Sequence, residues 1–336
     1  MFNSNKKMSV IITVDVEAHR VIDEITGPTF DGLQKIINEL DANAIKATFF
    51  VDFSEVHTWG FHAIKIACDK ILSSKHDIQL HIHPHHYSGD RNRWMLGDYS
   101  YAEKVEIIKD AISNYKNIVG KMPLAFRAGA FGIDEESLEI LFDNNIKIDC
   151  SYMEHAKQCK IDPWGGEGKI RIDAVKELPL IPVVRLTIFG NVYKSSSLDF
   201  NWLPNFYIKK ILFRNRVRKV PAAVILMHSS SLSMRKSQNG FAKSKFFNKK
   251  LTDLLFFLND KGFRTETVAD WATNGSISKK QFDKASKAEG NFFIQYYLLL
   301  YQSWIGKGFK KHFLIFYYGN IGIVLLAILL TLWILK

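Results

Sequence analysis

The sequence predicts an α/β fold, a mostly parallel sheet or barrel, followed by a membrane span. Three observations predict it. Short apolar runs alternate with amphipathic stretches over the first 275 residues, polar residues cluster where several of those runs end, and a long uncharged apolar run lies near the C-terminus. Alternation of this kind covers a parallel sheet with helices and puts the active site at the C-terminal ends of the strands.

In chain order, Val10–Val14, Lys46–Val51, Ile78–His81, Leu124–Arg127, Ile146–Asp149 and Val220–Met227 read as strands, because each is a short apolar run. Phe30–Leu40, Phe61–Leu72, Tyr101–Ile118, Glu135–Phe142 and Lys245–Leu258 read as helices, with apolar residues recurring at three- and four-residue spacing. No internal repeat, low-complexity tract or phosphate-binding glycine motif interrupts the pattern.

A chain of 336 residues suits one large domain with accessories. Its 47% apolar and 24% charged residues exclude wholesale disorder. Cys68, Cys150 and Cys159 include no CxxC pair, which argues for a reducing compartment and against a cysteine-ligated structural zinc.

The net charge of +11 is concentrated. Phe200 to Thr252 holds no acid and twelve cations: Lys209, Lys210, Arg214, Arg216, Arg218, Lys219, Arg235, Lys236, Lys243, Lys245, Lys249 and Lys250. The rest of the chain has 33 cations against 34 acids, a net of −1. Such a block suits anionic lipid head groups or a phosphorylated substrate. A nucleic-acid partner is not expected.

Residues 313–335 form a run of 23 without a charge. As a helix it is about 34 Å long, enough for a hydrocarbon core of about 30 Å. Tyr317, Tyr318 and Trp333 lie towards its ends, where aromatic rings suit the interface. Lys307, Lys310 and Lys311 precede the run and only Lys336 follows it, so the positive-inside rule places the preceding domain in the cytoplasm. The N-terminus has no apolar stretch of signal-peptide length before acids appear. Residues 292–305 are apolar, aromatic and short. They read as a helix lying in the interface, with a second span as the alternative. The expected organisation is a catalytic domain over 1–275, a juxtamembrane region over 276–312 and a single span over 313–335. The expected location is a bacterial inner membrane, with the catalytic domain cytoplasmic.

Four clusters carry chemistry. After the first strand, Asp15 and Glu17 stand two apart, so both face one side of extended chain. After the third, residues 81–86 hold four of the eleven histidines, His81, His83, His85 and His86. A borderline divalent metal takes imidazole nitrogen with carboxylate oxygen. Which two of the four histidines would bind is open at this level. Arg127 ends a strand before a turn punctuated by Gly129 and Gly132, and His228 ends a strongly apolar one.

The order and spacing of these clusters resemble the polysaccharide deacetylase family, also called the NodB-homology domain or carbohydrate esterase family 4. The resemblance covers roughly residues 8–272. The matching segments are Thr13–Glu17, Ala47–Val51, His81–His85, Arg127–Gly132 and Leu226–His228. It implies a distorted (β/α)-barrel of the NodB-homology type and a metal-dependent amide hydrolase. Asp15 would be the general base, Arg127 its tuning partner and His228 the general acid. Glu17, His81 and His85 would hold a divalent metal, Zn²⁺ by preference. Backbone N–H groups near Ala130 or Phe131 would hold the oxyanion. Asp149 would stand for the family's aspartate–tryptophan motif, without its tryptophan. The usual adjacent aspartates are replaced by Asp-x-Glu, so His19 is an alternative to Glu17, and the arginine turn lacks its common proline. In the segment Ser88–Tyr99, Arg91 and Trp94 are candidates for phosphate and sugar contacts.

Together with the basic block and the span, the resemblance leads us to expect removal of an N-acetyl or N-formyl group from a polyprenyl-phosphate-linked sugar, in assembly of a surface glycan. Two alternatives stand beside it. One is an outward-facing deacetylase of peptidoglycan or an exported polymer. The other is a degenerate domain that binds sugar within a glycan assembly complex.

Overall fold

The computed structural model describes residues 8–18, 22–23, 27–28, 30–153, 156–162, 176–177, 184–188, 191–196, 198–233, 240–274, 280–281, 298 and 301. The expected span over 313–335 and His19 lie outside the described residues. Among the described residues no helix is long and apolar enough to cross a membrane.

Strand and helix alternate: β1 (Ser9–Val16), α1 (Asp31–Ala42), β2 (Thr48–Asp52), α2 (Phe61–Ser73), β3 (Asp77–Ile82), α3 (Tyr101–Val119), β4 (Ala125–Ala128), α4 (Glu135–Asp143), β5 (Ile148–Asp149) and β6 (Lys176–Glu177). After these come β7 (Leu198–Asp199), α5 (Asn205–Val217), β8 (Ala222–His228), α6 (Gly240–Asp260), β9 (Arg264–Glu266) and α7 (Val268–Asn274). The strands form one parallel sheet in the order β6-β5-β4-β3-β2-β1-β8-β7, with β9 paired to the first residues of β1. Among the described residues β6 and β7, the two ends of this order, do not pair with each other.

The helices follow from their sequences. In α1, Leu33, Ile36, Ile37 and Leu40 are buried at the spacing of one helical face. Ahead of α3, Ser100 and Glu103 form a capping box, and Gly120 ends the helix at φ 80°, a left-handed position that suits glycine. Asp134 caps α4 by accepting from the Ser137 N–H at 3.0 Å.

Period-two alternation sorts each strand's side chains between two faces. Val10, Ile12, Val14 and Val16 of β1 join the larger apolar cluster together with Leu33 and Ile36 of α1. Ile11 points the other way, into a smaller cluster with Phe50, Ala125, Ile148, Ala222 and Val224, closed by Val268 and Trp271 of α7. Beside it the same inner face carries polar groups. Gln79 bridges Asp77 and the N–H groups of Leu124 and Ala125, and Thr48 donates to Asp77 while accepting from the Val268 N–H. These bonds satisfy groups that would otherwise be costly to bury. Further along this face come Asp15, His81, Arg127 and His228.

Several elements differ from their sequence reading. The fifth strand shortens to Ile148–Asp149, and the last long helix begins at Gly240. Helix α5 is unexpected. Its buried face of Tyr207, Ile208, Ile211, Leu212 and Asn215 is hidden in sequence by interleaved lysines and arginines.

Lys250 stands apart from the rest of the basic block. It is buried, donating to the carbonyls of Phe200 and Leu203 and to the Tyr301 hydroxyl. Lys210, Arg218, Lys219, Lys245 and Lys249 are exposed. Of the expected interfacial helix over 292–305, the two described residues, Leu298 and Tyr301, are buried against the domain. At these positions the segment faces protein.

Candidate active site

Parallel register assembles the site at the C-terminal strand ends. Asp15 of β1 lies opposite His228 of β8, and His81 of β3 opposite Arg127 of β4. Asp15 and Glu17 are buried, at 3% and 2% exposure.

Arg127, the largest fully buried side chain, holds Asp15. Its Nη1 donates to Asp15 Oδ1 at 2.6 Å and to Thr13 Oγ1 at 3.0 Å. Its Nε donates to the Cys150 carbonyl at 3.2 Å, and its guanidinium lies 4.1 Å from the centre of the Phe50 ring. Burial pushes the Asp15 carboxyl up, but the charge of Arg127, aided by His81 and His228, outweighs it and holds the group below the ordinary carboxylate value.

Glu17 is the centre of the histidines. Its Oε1 lies 3.1 Å from His83 Nε2, 3.5 Å from His81 Nε2 and 3.8 Å from His228 Nε2. Glu17, His81 and His83 offer ligand atoms within 4.8 Å of one another, as do Asp15, Glu17 and His228. His81 is the clearest candidate ligand. Its Nδ1 is 2.7 Å from the Arg127 carbonyl, which fixes the ring and leaves Nε2 buried and without a hydrogen bond. An orphaned imidazole nitrogen beside a buried carboxylate fits a borderline divalent cation.

The structure brings His83, and not His85, to Glu17 and His81. Strand alternation accounts for this. Gln79, His81 and His83 continue one inward-facing series, whereas Pro84 opens a single helical turn, His85–Ser88. His85 is thereby carried against Trp94 and His86, with ring centres 4.2 and 4.0 Å away, while its centre lies 5.7 Å from that of His83. The close approach of His83 to the arginine turn requires glycine at 129. A Cβ there would lie 2.6 Å from His83 Nδ1 and 2.7 Å from the Ile82 carbonyl oxygen.

The remaining predicted residues line or support the same end of the sheet. Ala130 and Phe131 adopt left-handed backbone in succession, at φ 51° and 59°. For non-glycine residues that conformation costs about 1–3 kcal/mol each and clusters at functional sites. Trp94 is 43% exposed beside His85, and Arg91 is exposed in the same loop. Arg93 anchors that loop, pairing with both oxygens of Glu103 at 2.9 Å and stacking over Tyr99. Asp149 is fully buried, with both oxygens engaged by Ser151, whose hydroxyl accepts from the Ala128 N–H. It braces the strand beneath the arginine turn.

Sequence reasoning missed Asp199. It is buried at the end of β7 beside β8, and it couples electrostatically to His228. Burial pushes its carboxyl up, while His228 and the Asn201 and Trp202 N–H groups act against that rise. A lone Asp before Phe200 carries no motif, so only strand pairing reveals it. His228 itself is part-exposed, with 18% of its side chain open to solvent.

No protein-family model and no curated protein matches the chain. Solved structures similar to it include a peptidoglycan N-acetylglucosamine deacetylase, 17% identical over 81% of this chain and 91% of that one, with a TM-score of 0.47. A family 4 carbohydrate esterase from Streptomyces lividans is 14% identical over 81% and 97%, with a TM-score of 0.43. A pseudoenzyme of that family from Bacillus anthracis is 14% identical over 82% and 68%, with a TM-score of 0.45. The first of these is named as a deacetylase, and the second and third are named as an esterase and a pseudoenzyme of carbohydrate esterase family 4.

Proposed function

We propose that this protein is a metal-dependent hydrolase that removes an N-acyl group, acetyl or formyl, from a sugar. The observation that carries the reading is Glu17 Oε1 faced by three imidazole nitrogens, beside an Asp15 held charged by Arg127. Glu17, His81 and His83 would hold the cation, with His85 the neighbour that the motif spacing favours. A bound divalent ion of the Zn²⁺ type supplies an activated water and polarises the acyl carbonyl.

The chain's own groups do the rest. Asp15 takes a proton from the attacking water. The left-handed turn at Ala130 and Phe131 offers backbone N–H groups to the oxyanion. His228, the part-exposed member of the set, gives its proton to the departing amine as the C–N bond breaks. Asp199 acts as a positioning residue, stabilising the charged imidazole. The products are a carboxylate and a free amino sugar.

The proposed substrate is carried on a polyprenyl phosphate at the cytoplasmic face of the inner membrane. The apolar run over 313–335 and the exposed Lys210, Arg218, Lys219, Lys245 and Lys249 support this, since a lipid-linked phosphate suits both. The proposed organisation remains a catalytic domain to residue 275, a juxtamembrane region and one span.

The test is metal content and amine release by the detergent-purified chain, beside His83→Ala and His85→Ala. N-acetylated and N-formylated prenyl-phosphate sugars and soluble chitooligosaccharides are the substrates. Loss of metal and of turnover in His83→Ala is expected. A wild type that binds no zinc and releases no amine from any of them sinks the hydrolase reading. A reporter fused after Lys336 is expected outside the cytoplasm, and a cytoplasmic reporter overturns the topology.

A further inference from the structure

Helix α5 carries apolar side chains on two faces. Tyr207, Ile208, Ile211 and Leu212 are buried against the domain, as a surface helix requires. On the outward side Phe206, Lys210, Phe213 and Val217 stand at i, i+4, i+7 and i+11, which is one stripe along the helix. Phe206 is 49%, Phe213 41% and Val217 79% exposed. Single exposed apolar residues are ordinary on a protein surface, but three aligned on one helical stripe are not scatter.

Cations border this stripe. At about 100° of turn per residue, Lys209 and Arg216 fall on one side of it and Arg214 on the other, all three partly exposed. Lys209 Nζ lies 5.0 Å from the centre of the Phe257 ring, and the Arg216 guanidinium lies 4.9 Å from that of Phe263. The Phe213 ring packs between them, 5.5 Å from Phe257 and 6.0 Å from Phe263. Side chains of this kind lay an apolar stem along aromatic surface and keep the charge at its rim. Arg218 and Lys219 follow the helix and are exposed, as are Lys245 and Lys249 of α6, and no acid occurs from Phe200 to Thr252.

We infer that α5 is an in-plane docking helix whose Phe206–Val217 stripe sits at the headgroup–acyl boundary of an anionic bilayer. An apolar stripe with aromatic members and a rim of cations suits a lipid interface, where the cations meet anionic head groups. The course of the chain agrees. The Tyr301 hydroxyl accepts from Lys250 Nζ at 3.0 Å, and the Lys250 carbonyl accepts from Nδ2 of Asn205, the first residue of α5, at 2.7 Å. The uncharged run over 313–335 begins twelve residues beyond Tyr301, at most about 40 Å of extended chain. A bilayer entered by that run is therefore within reach of the stripe. The helix also ties the surface to the site. Because α5 joins the parallel strands β7 and β8, it runs back along them, and its first turn lies at the end that carries Asp199 and His228. A domain seated on α5 holds its candidate catalytic end within roughly 20 Å of lipid, the length of the helix. This inference rests on the membrane location proposed above and not on the hydrolase chemistry.

The test reads nitroxide collisions in the full chain reconstituted into vesicles. A label at Val217→Cys is compared with one at Lys109→Cys, an exposed position of α3, with Cys159→Ser in both because Cys68 and Cys150 are buried. The vesicles are phosphatidylglycerol with phosphatidylethanolamine, or phosphatidylcholine alone. Oxygen concentrates among acyl chains, whereas a water-soluble nickel chelate, supplied on both sides, stays out of them. In the anionic vesicles the oxygen-to-nickel collision ratio at Val217 is expected to exceed that at Lys109 several-fold. It is expected to fall towards the Lys109 value in phosphatidylcholine, and when Lys210, Arg218 and Lys219 are all replaced by Gln. Equal ratios at the two positions in anionic vesicles overturn the contact. A Val217 label shielded from both probes and broadened by a second label shows another copy of the chain on the stripe, and overturns it too. A high ratio that neither the neutral lipid nor the Gln variant lowers overturns the anionic surface as the partner. The substituted positions are exposed, so folding is expected to survive. No outcome needs turnover, so failure of the hydrolase reading leaves this result standing, and the reporter after Lys336 tests the span separately.

Discussion

Arg127 Nη1 lies 2.6 Å from Asp15 Oδ1, and the two residues are 0% and 3% exposed. They come from strands β4 and β1, separated in the sheet by β2 and β3. The ion pair therefore crosses the inner face of the sheet. Removing one partner of a buried pair leaves an uncompensated charge, at a cost of about 3–5 kcal/mol. Arg127→Leu is expected to lose that much in urea denaturation, and turnover with it. Arg127→Lys, which keeps the charge and loses the fork, is expected to lose less. A leucine variant within 1 kcal/mol of wild type would show that the pair contributes little.

Gly129 presses against His83. Gly129→Ala is expected to displace the imidazole, weaken metal retention and cost about 1–3 kcal/mol by overpacking. Gly132→Ala is the companion test, because its added Cβ would meet Met95 at 2.4 Å and not a histidine. Metal retention that falls equally in both would separate the metal from His83.

Trp94 is exposed over His85 and outside the acid–base groups. Trp94→Ala is expected to raise KM several-fold with kcat near wild type and to change stability by less than about 0.5 kcal/mol. A fall in kcat at unchanged KM would place Trp94 in the chemistry instead.

Lys250 supplies a pH test. Burial pulls its amine down to about 7, with Asp199 acting in the opposite direction. The unfolded chain keeps an ordinary lysine, near about 10.4. Between these values the unfolded state binds more protons, so stability rises with pH. Melting temperature is expected to climb from pH 7 towards 10 relative to Lys250→Met. Parallel profiles for the two proteins would count against a neutral buried amine.

Chelation provides the last test. An ion held at a hundred times its Kd stabilises the fold by about 2.7 kcal/mol. Treatment with a strong chelator is expected to lower the melting temperature, and zinc to restore it. A chelator-insensitive melt would mean that no ion contributes to the folded state.

The sequence alone determined the strand–helix alternation and the places where Asp15, Glu17, the histidines, Arg127 and His228 end strands. Both are local properties, set by a two-residue or 3.6-residue period and by apolar runs that stop at polar residues. The approach of His83 to Glu17 was not legible, because it depends on where β3 stops alternating and Pro84 begins a turn. Asp199 was equally hidden. Its partner His228 lies 29 residues away in the chain. Only parallel register brings β7 beside β8. Lys250 makes the same point for charge. A lysine reads as surface in sequence, and becomes core only when a fold closes carbonyls around it. Tertiary structure decided which atoms of an ordered set of polar residues actually meet, because hydrogen bonds and ligand shells depend on distance in space and not along the chain.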